Sequence, residues 1–253
     1  MSAKARVHFA VLSFCLSVAA SSVAPAQHEG HDHATAGSAA QTQLPGDPYL
    51  LDTDPATGEK LVPLEKQVVI EHDGRELRFN SEESVRMFRS DPAKYLAEVD
   101  AALVRQQLPF YPLETCPVSG EKLGEMGAPV DFVYRNRLVR FCCKGCKPKF
   151  LADPDKFIVK LDAAVVAAQG PKYPLATCVV SGEELGGAMG EPIDYVVGNR
   201  LIRLCCKGCK KKVAKDPLSF LAKLDAARSE GEHAETGHGS GHDEHDHHHG
   251  DKE

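Results

Sequence analysis

Apolar and polar positions alternate from Val130 to Phe141, and the polar pair Arg135-Asn136 interrupts the alternation at its centre. That pattern predicts a β-hairpin. A matching hairpin is predicted around Asp73-Gly74, residues that tolerate the positive φ of a tight turn, and a third around Gly198-Asn199. After each hairpin the period changes to that of a short helix. Then comes Asp-Pro, as Asp91-Pro92, Asp153-Pro154 and Asp216-Pro217. Asp suits an N-cap, and Pro suits the first helical position, where its missing N–H costs nothing. The helices that follow carry apolar residues at helical spacing: Tyr95, Leu96, Val99 and Leu103; Phe157, Ile158, Leu161 and Val165; Phe220, Leu221 and Leu224. These read as core positions.

The patterns recur because the sequence does. Tyr111 to Gly124, YPLETCPVSGEKLG, returns as YPLATCVVSGEELG from Tyr173 to Gly186, with 11 of 14 positions identical. NRLVRFCCKGCKPKF (Asn136–Phe150) returns as NRLIRLCCKGCKKKV (Asn199–Val213). An earlier copy aligns at an offset of 62: YLLDTDPATGEKL from Tyr49 to Leu61, and RELRFNSEESVRMFRSDP from Arg75 to Pro92. The predicted organisation is three repeats, at 48–109, 110–172 and 173–229. The fold class is α+β, each repeat a small module of one hairpin and its helices.

Two of the repeats carry sulfur. Each has one isolated cysteine and, 26 or 27 positions later, a C-C-x-x-C cluster. The sets are Cys116, Cys142, Cys143 and Cys146, and Cys178, Cys205, Cys206 and Cys209. Thiolates so gathered are soft-metal ligands or disulfide partners. Cys142 and Cys146 are four apart, as are Cys205 and Cys209, a spacing that on a helix places both side chains on one face. Closed by Cys116 or Cys178, such a pair gives a three-sulfur site suited to Cu(I), Zn or another soft ion. Cys143 and Cys206 are open to three readings: a fourth ligand, a disulfide partner, or a buried apolar residue. Met126 and Met189 occupy matching places and offer thioethers, although a core or loop methionine is the plainer reading. Lys144, Lys147, Lys207 and Lys210 either lower the thiol pKa values or form an exposed face. The first repeat has Asp54 in place of the lone cysteine, and Asn80, Ser81 and Ser84 in place of the cluster. It keeps the apolar frame without the sulfur and reads as structural.

The pattern of one cysteine, then F-C-x-x-x-C-x-x-x-F-x-x-D-P-x-x-F some 25 residues on, resembles the YHS domain and the related TRASH domain of heavy-metal trafficking, resistance and sensing. The resemblance covers about Tyr49 to Ala227. It implies a treble-clef-like zinc-binding fold and a metal-handling role. Carried over, the ligands are Cys116, Cys142 and Cys146, and Cys178, Cys205 and Cys209. Cys143 and Cys206 stand where that pattern has a non-cysteine residue, and the first repeat has none of the ligands.

The ends read differently. Residues 1–26 hold Lys4 and Arg6, an apolar run from Val7 to Ala20, then Ala24-Pro25-Ala26. That is the layout of a secretory signal cleaved near Ala26. The run is short for a membrane span, and no later stretch is apolar enough, so no transmembrane segment is expected in the mature chain. Cys15 would leave with the signal, and the formal charge would move from −6 to −8. An acidic chain without Trp argues against nucleic acid. Export points to the periplasm or the exterior, where the remaining eight cysteines make a disulfide-stapled scaffold the alternative to a metal protein. A thiol oxidoreductase is a further alternative, but the histidines lie outside the cysteine repeats and no catalytic constellation is visible, so no enzyme is expected.

Ten of the twelve histidines lie outside signal and repeats. His28, His31 and His33 sit in 27–47. His233, His238, His242, His245, His247, His248 and His249 sit in 230–253. Segments of this composition are expected to be disordered, and neutral imidazole binds Zn, Cu and Ni. The sequence therefore points to an exported protein that sequesters, buffers or delivers a transition metal, copper or zinc first. Two tight sites are expected, weaker ones in the tails, and a metal transporter or metalloprotein as acceptor.

Overall fold

The hairpins turn as their residues suggest. Both central residues of each turn have positive φ: 51° and 72° at Asp73-Gly74, 49° and 66° at Arg135-Asn136, 57° and 61° at Gly198-Asn199. These values match the mirror-image turn whose twist suits a two-residue hairpin. A computed structural model describes residues 46–236, with 231–236 described by backbone alone. They lie within one compact unit, Gln43–Glu253. The expected signal, the histidines at 28, 31 and 33, and those from 238 to 249 lie outside the described residues; His233 falls in the backbone-only part.

The described residues form an α+β fold with six α-helices and three two-stranded antiparallel sheets. The strands are β1 Val68–His72, β2 Arg75–Phe79, β3 Val130–Tyr134, β4 Arg137–Phe141, β5 Ile193–Val197 and β6 Arg200–Leu204. Register is set at the turn, where His72 pairs with Arg75, Tyr134 with Arg137 and Val197 with Arg200. The helices are α1 Glu82–Ser90, α2 Pro92–Gln107, α3 Cys146–Ala152, α4 Pro154–Gln169, α5 Lys207–Lys215 and α6 Pro217–Thr236. Asp91, Asp153 and Asp216 separate short helix from long in each repeat. Asp91 and Asp216 accept N-cap hydrogen bonds from Lys94 and Ser219, whereas Asp153 caps by position only.

Three clusters make the core. Val139, Phe141, Phe150 and Leu161 fill the second repeat. The first and third repeats share one cluster, in which Leu77, Phe79, Phe88 and Leu103 join Val197, Ile202, Leu204, Val213 and Leu224, with Tyr49 and Leu50. Leu50 lies so close to the third turn that a Cβ at Gly198 would come within 2.6 Å of it. Arg78 donates to the carbonyls of Ala214 and Lys215 at the end of α5, where a cation meets the negative pole of a helix. A small cluster of Val165, Val196 and Leu201 joins α4 to the third hairpin.

The joints between successive repeats are polar and they recur. Gln107, closing α2, donates to the Asn136 carbonyl at 2.7 Å and accepts the Leu138 N–H at 2.8 Å. Gln169, closing α4, does the same to Asn199 and Leu201 at 2.8 and 2.9 Å. Each repeat also ties its second strand to its long helix through Arg75–Asp100, Arg137–Asp162 and Arg200–Asp225. Asp47 converges on this layer. Its carboxylate accepts from Arg137 Nε at 2.6 Å and from the Gly198 N–H at 2.6 Å, and its own N–H donates to the Arg135 carbonyl. One carboxylate thus holds two hairpin turns, both contacts being shielded from water.

Candidate metal centre

Each lone cysteine sits in a tight loop that the backbone closes by itself. Cys116 N–H donates to Glu121 and the Cys116 carbonyl accepts from Gly120, at 2.7 and 2.9 Å. Cys178 repeats this with Glu183 and Gly182, at 2.7 and 2.8 Å. Gly120 and Gly182 have φ of 81° and 79°, a conformation that costs a residue with a Cβ. Their hydrogen positions face open space, so backbone conformation alone calls for glycine there.

The hairpin brings the other sulfurs to that loop. Cys142 directly follows β4, and Cys146 opens α3. The two do not share a helical face, as their spacing alone suggested. The strand ends at Phe141, and Cys143 to Gly145 turn the chain before the helix starts. In the third repeat Cys205 follows β6, Cys206 is the N-cap of α5 and Cys209 lies in its first turn. The result is the same. The ligand atoms of Cys116, Cys142 and Cys146 lie within 4.8 Å of one another, and so do those of Cys178, Cys205 and Cys209. Cys142 and Cys146 Sγ are 3.7 Å apart, and Cys205 and Cys209 Sγ 3.8 Å. A metal–sulfur bond of ~2.3 Å at a tetrahedral angle places sulfurs about 3.8 Å apart. All six thiols are buried. Either triad can hold a metal ion.

The electrostatics within a triad are uneven. Burial pushes the Cys116 thiol up, but hydrogen bonds from the Ser119 side chain and from the N–H groups of Ser119, Cys142 and Val118 outweigh it, leaving it at about 7. Cys178 is held at about 6, against the same burial, by N–H groups of Cys205, Ser181 and Val180 and by the Ser181 hydroxyl. Burial, with the neighbouring thiols, pushes Cys146 and Cys209 up to about 12. Each metal-free triad thus has one thiol drawn toward its thiolate and one held toward its protonated form. Ser119 and Ser181, each 3.3 Å from a triad sulfur, belong to the site. Composition did not single them out, although both stand in the repeated V-S-G. Two of the four lysines engage aromatic rings: Lys147 Nζ lies 4.1 Å over the Phe132 ring and Lys210 Nζ 4.6 Å over Tyr195. Met126 and Met189 are exposed, at 65% and 57%.

Cys143 and Cys206 are only partly buried and lie outside the triads. Their Sγ atoms stand 4.0 and 3.6 Å from Cys146 and Cys209, so Cys143–Cys146 and Cys206–Cys209 are themselves C-x-x-C pairs at a helix start. The eight cysteines among the described residues are free thiols.

The first repeat closes the same place without sulfur. Asp54 Oδ1 accepts from the N–H groups of Ala56 and Thr57, and Oδ2 from that of Asn80, at 2.8, 3.2 and 2.7 Å. These are the counterparts of Val118, Ser119 and Cys142, the N–H donors to Cys116. Asn80 ties further to Val62 and Lys60, and Ser81 Oγ meets Ser84 Oγ at 3.1 Å. Comparisons of the chain with protein-family models, curated proteins and solved structures return no match.

Proposed function

We propose that this chain is an exported metal-binding protein that sequesters, buffers or delivers a transition metal, copper or zinc. Its two tight sites are Cys116, Cys142 and Cys146, and Cys178, Cys205 and Cys209. The observation that carries the proposal is the double construction of one buried three-thiol group from the same loop, strand end and helix start. Three soft ligands suit Cu(I) and Zn, and the hydroxyls of Ser119 and Ser181, which touch Cys142 and Cys205, help orient them. The meeting of a loop cysteine, a strand-end cysteine and a helix-start cysteine supports the treble-clef-like, YHS/TRASH-like reading of the two cysteine-bearing repeats. The lysine-and-arginine start and apolar run of residues 1–26 support export. The histidines of 27–47 and 230–253 are proposed as weaker sites that collect metal, with a transporter or metalloprotein as acceptor.

The test is elemental analysis together with a thiol count, on full-length protein prepared under argon. Two ions per chain that survive gel filtration are expected, with eight thiols in the metal-free mature protein. Fewer than one ion in fully reduced protein would overturn the proposal. Disulfides in its place would move the assignment to a stapled scaffold.

A further inference from the structure

Cys143 and Cys206 are unexplained by the triads. They occupy the same place twice, each beside one triad sulfur and each partly open to solvent, while all six triad thiols are buried. Helix capping does not account for them. The first repeat has Ser81 there, and Ser81 Oγ accepts the Ser84 N–H at 3.1 Å as the N-cap of α1. Serine is among the best N-caps. Cys206, at the same place on α5, makes no such side-chain cap, and neither does the residue capping α3. A cysteine thus replaces a better cap in the two repeats that carry a triad and not in the one that lacks it.

We propose that Cys143 and Cys206 are transfer thiols, which draw the ion from the buried triad to the protein surface and hand it to an incoming thiolate ligand. The inference rests on the metal-holding role proposed above and adds the route by which the ion leaves. Cys143 gives its proton to solvent and bonds the metal, while the bond from the metal to Cys116 breaks and Cys116 keeps its electron pair. The ion then rests on Cys142, Cys143 and Cys146, with Cys143 open to solvent, and there an acceptor's thiolate adds and the three protein bonds break in turn, each sulfur keeping its electron pair. No electron changes hands. The same exchange in the third repeat runs from Cys178 to Cys206 beside Cys209. An attacking ligand already on the chain has a high effective concentration, which lowers the barrier to opening a closed site.

The experiment uses full-length protein loaded with Zn(II) under argon, and the variants C143S, C206S and C143S/C206S. Serine suits the fold at this position, as Ser81 shows. Equilibrium competition with a zinc-binding dye measures affinity and stoichiometry. Stopped-flow transfer to a reduced peptide bearing one C-x-x-C measures release. The double variant is expected to keep two ions with affinity unchanged within about threefold, and to release them at least ~10-fold more slowly. Unchanged release rates would overturn the proposal. So would loss of one ion per substitution, which would make Cys143 and Cys206 holding ligands, or a Cys143–Cys146 disulfide in the loaded protein. If the parent protein itself binds no zinc, the metal-holding role fails first, and that result is distinct from the other three.

Discussion

The Asp54 carboxylate accepts the backbone N–H of Asn80 at 2.7 Å, and so ties in the first repeat the two points that Cys116 and Cys142 occupy in the second. Where two repeats gather three sulfurs, the first joins loop to strand end directly. Its carboxylate takes over the N–H groups that the Cys116 thiolate receives. The coincidence of donors explains how the frame survives without ligands.

That lock should be costly to open. Asp54→Ala leaves three part-buried N–H groups without their charged acceptor and should lower stability by ~1–3 kcal/mol. Asp54→Asn, which keeps the shape but not the charge, should cost less. Urea denaturation of metal-free protein measures both. A loss under about 0.5 kcal/mol for Asp54→Ala would show that the lock does not hold the loop. Conversely, D54C/N80C/S84C should create a third metal site, read as three zinc ions per chain in place of two.

Losing one triad should not resemble losing the other. Cys146→Ser and Cys209→Ser should each remove one ion, because two thiols and a hydroxyl make a poorer soft-metal site. Since the third repeat shares its core with the first, Cys209→Ser should also raise hydrogen exchange in β2 and α2. Cys146→Ser should confine the change to 110–172. Equal, local effects from both variants would show that the shared cluster of Phe79, Phe88 and Leu224 does not couple the repeats.

The metal-free triads should be most stable near pH 9. Cys116 and Cys178 have folded values of about 7 and 6, depressed from an ordinary 9.0, so their contribution is full above pH 9 and is lost as pH falls through 7 and 6. Cys146 and Cys209 are raised to about 12, so theirs is full below pH 9 and is lost as pH rises toward 12. Thermal unfolding in chelator and reductant, scanned by pH, should show both limbs. C116S/C178S should flatten the acid limb between pH 9 and 6. An acid limb of unchanged depth would mean that those thiols carry no charge in the folded state.

Arg137 should be among the residues least tolerant of truncation. It sits between Asp47 and Asp162, with 5% of its side chain exposed. Arg137→Ala strands two carboxylates in the polar layer and should cost ~3–5 kcal/mol. The outlying Arg140–Asp131 pair lies in a more exposed setting, and Arg140→Ala should cost ~1 kcal/mol or less. Similar losses from the two would show that the Asp47 junction is no more than a surface ion pair.

The hairpins and long helices were legible because their signals are local. Arg135-Asn136 inside an alternating run marks a turn, and Asp153-Pro154 marks a helix start whatever surrounds them. The triads were legible because duplication aligned Cys116 with Cys178. The path between Cys142 and Cys146 was not, since a spacing of four says nothing about where a strand ends. Nor was the pairing of the first core with the third, because alternation shows which face of β2 is buried and not what covers it. The Arg75–Asp100, Arg137–Asp162 and Arg200–Asp225 series stood in plain sight at repeat spacing. Nothing in the pattern singled it out, because most arginines and aspartates on such elements are solvated.

The ends of α2 and α4 make one kind of joint twice. Leu103, Val104 and Gln107 on α2, and Val165, Val166 and Gln169 on α4, are the residues that meet the following hairpin. Each follows the same Asp-Ala-Ala run, Asp100 to Ala102 and Asp162 to Ala164. On α6 that run recurs as Asp225 to Ala227, and then Arg228, Ser229 and Glu232 take the three places. Arg228 and Ser229 put a guanidinium and a hydroxyl where α2 and α4 offer two apolar side chains to the next hairpin. The grip of one repeat on the next is therefore written in a few residues at a helix end, and repeats could be joined or parted there without touching a triad.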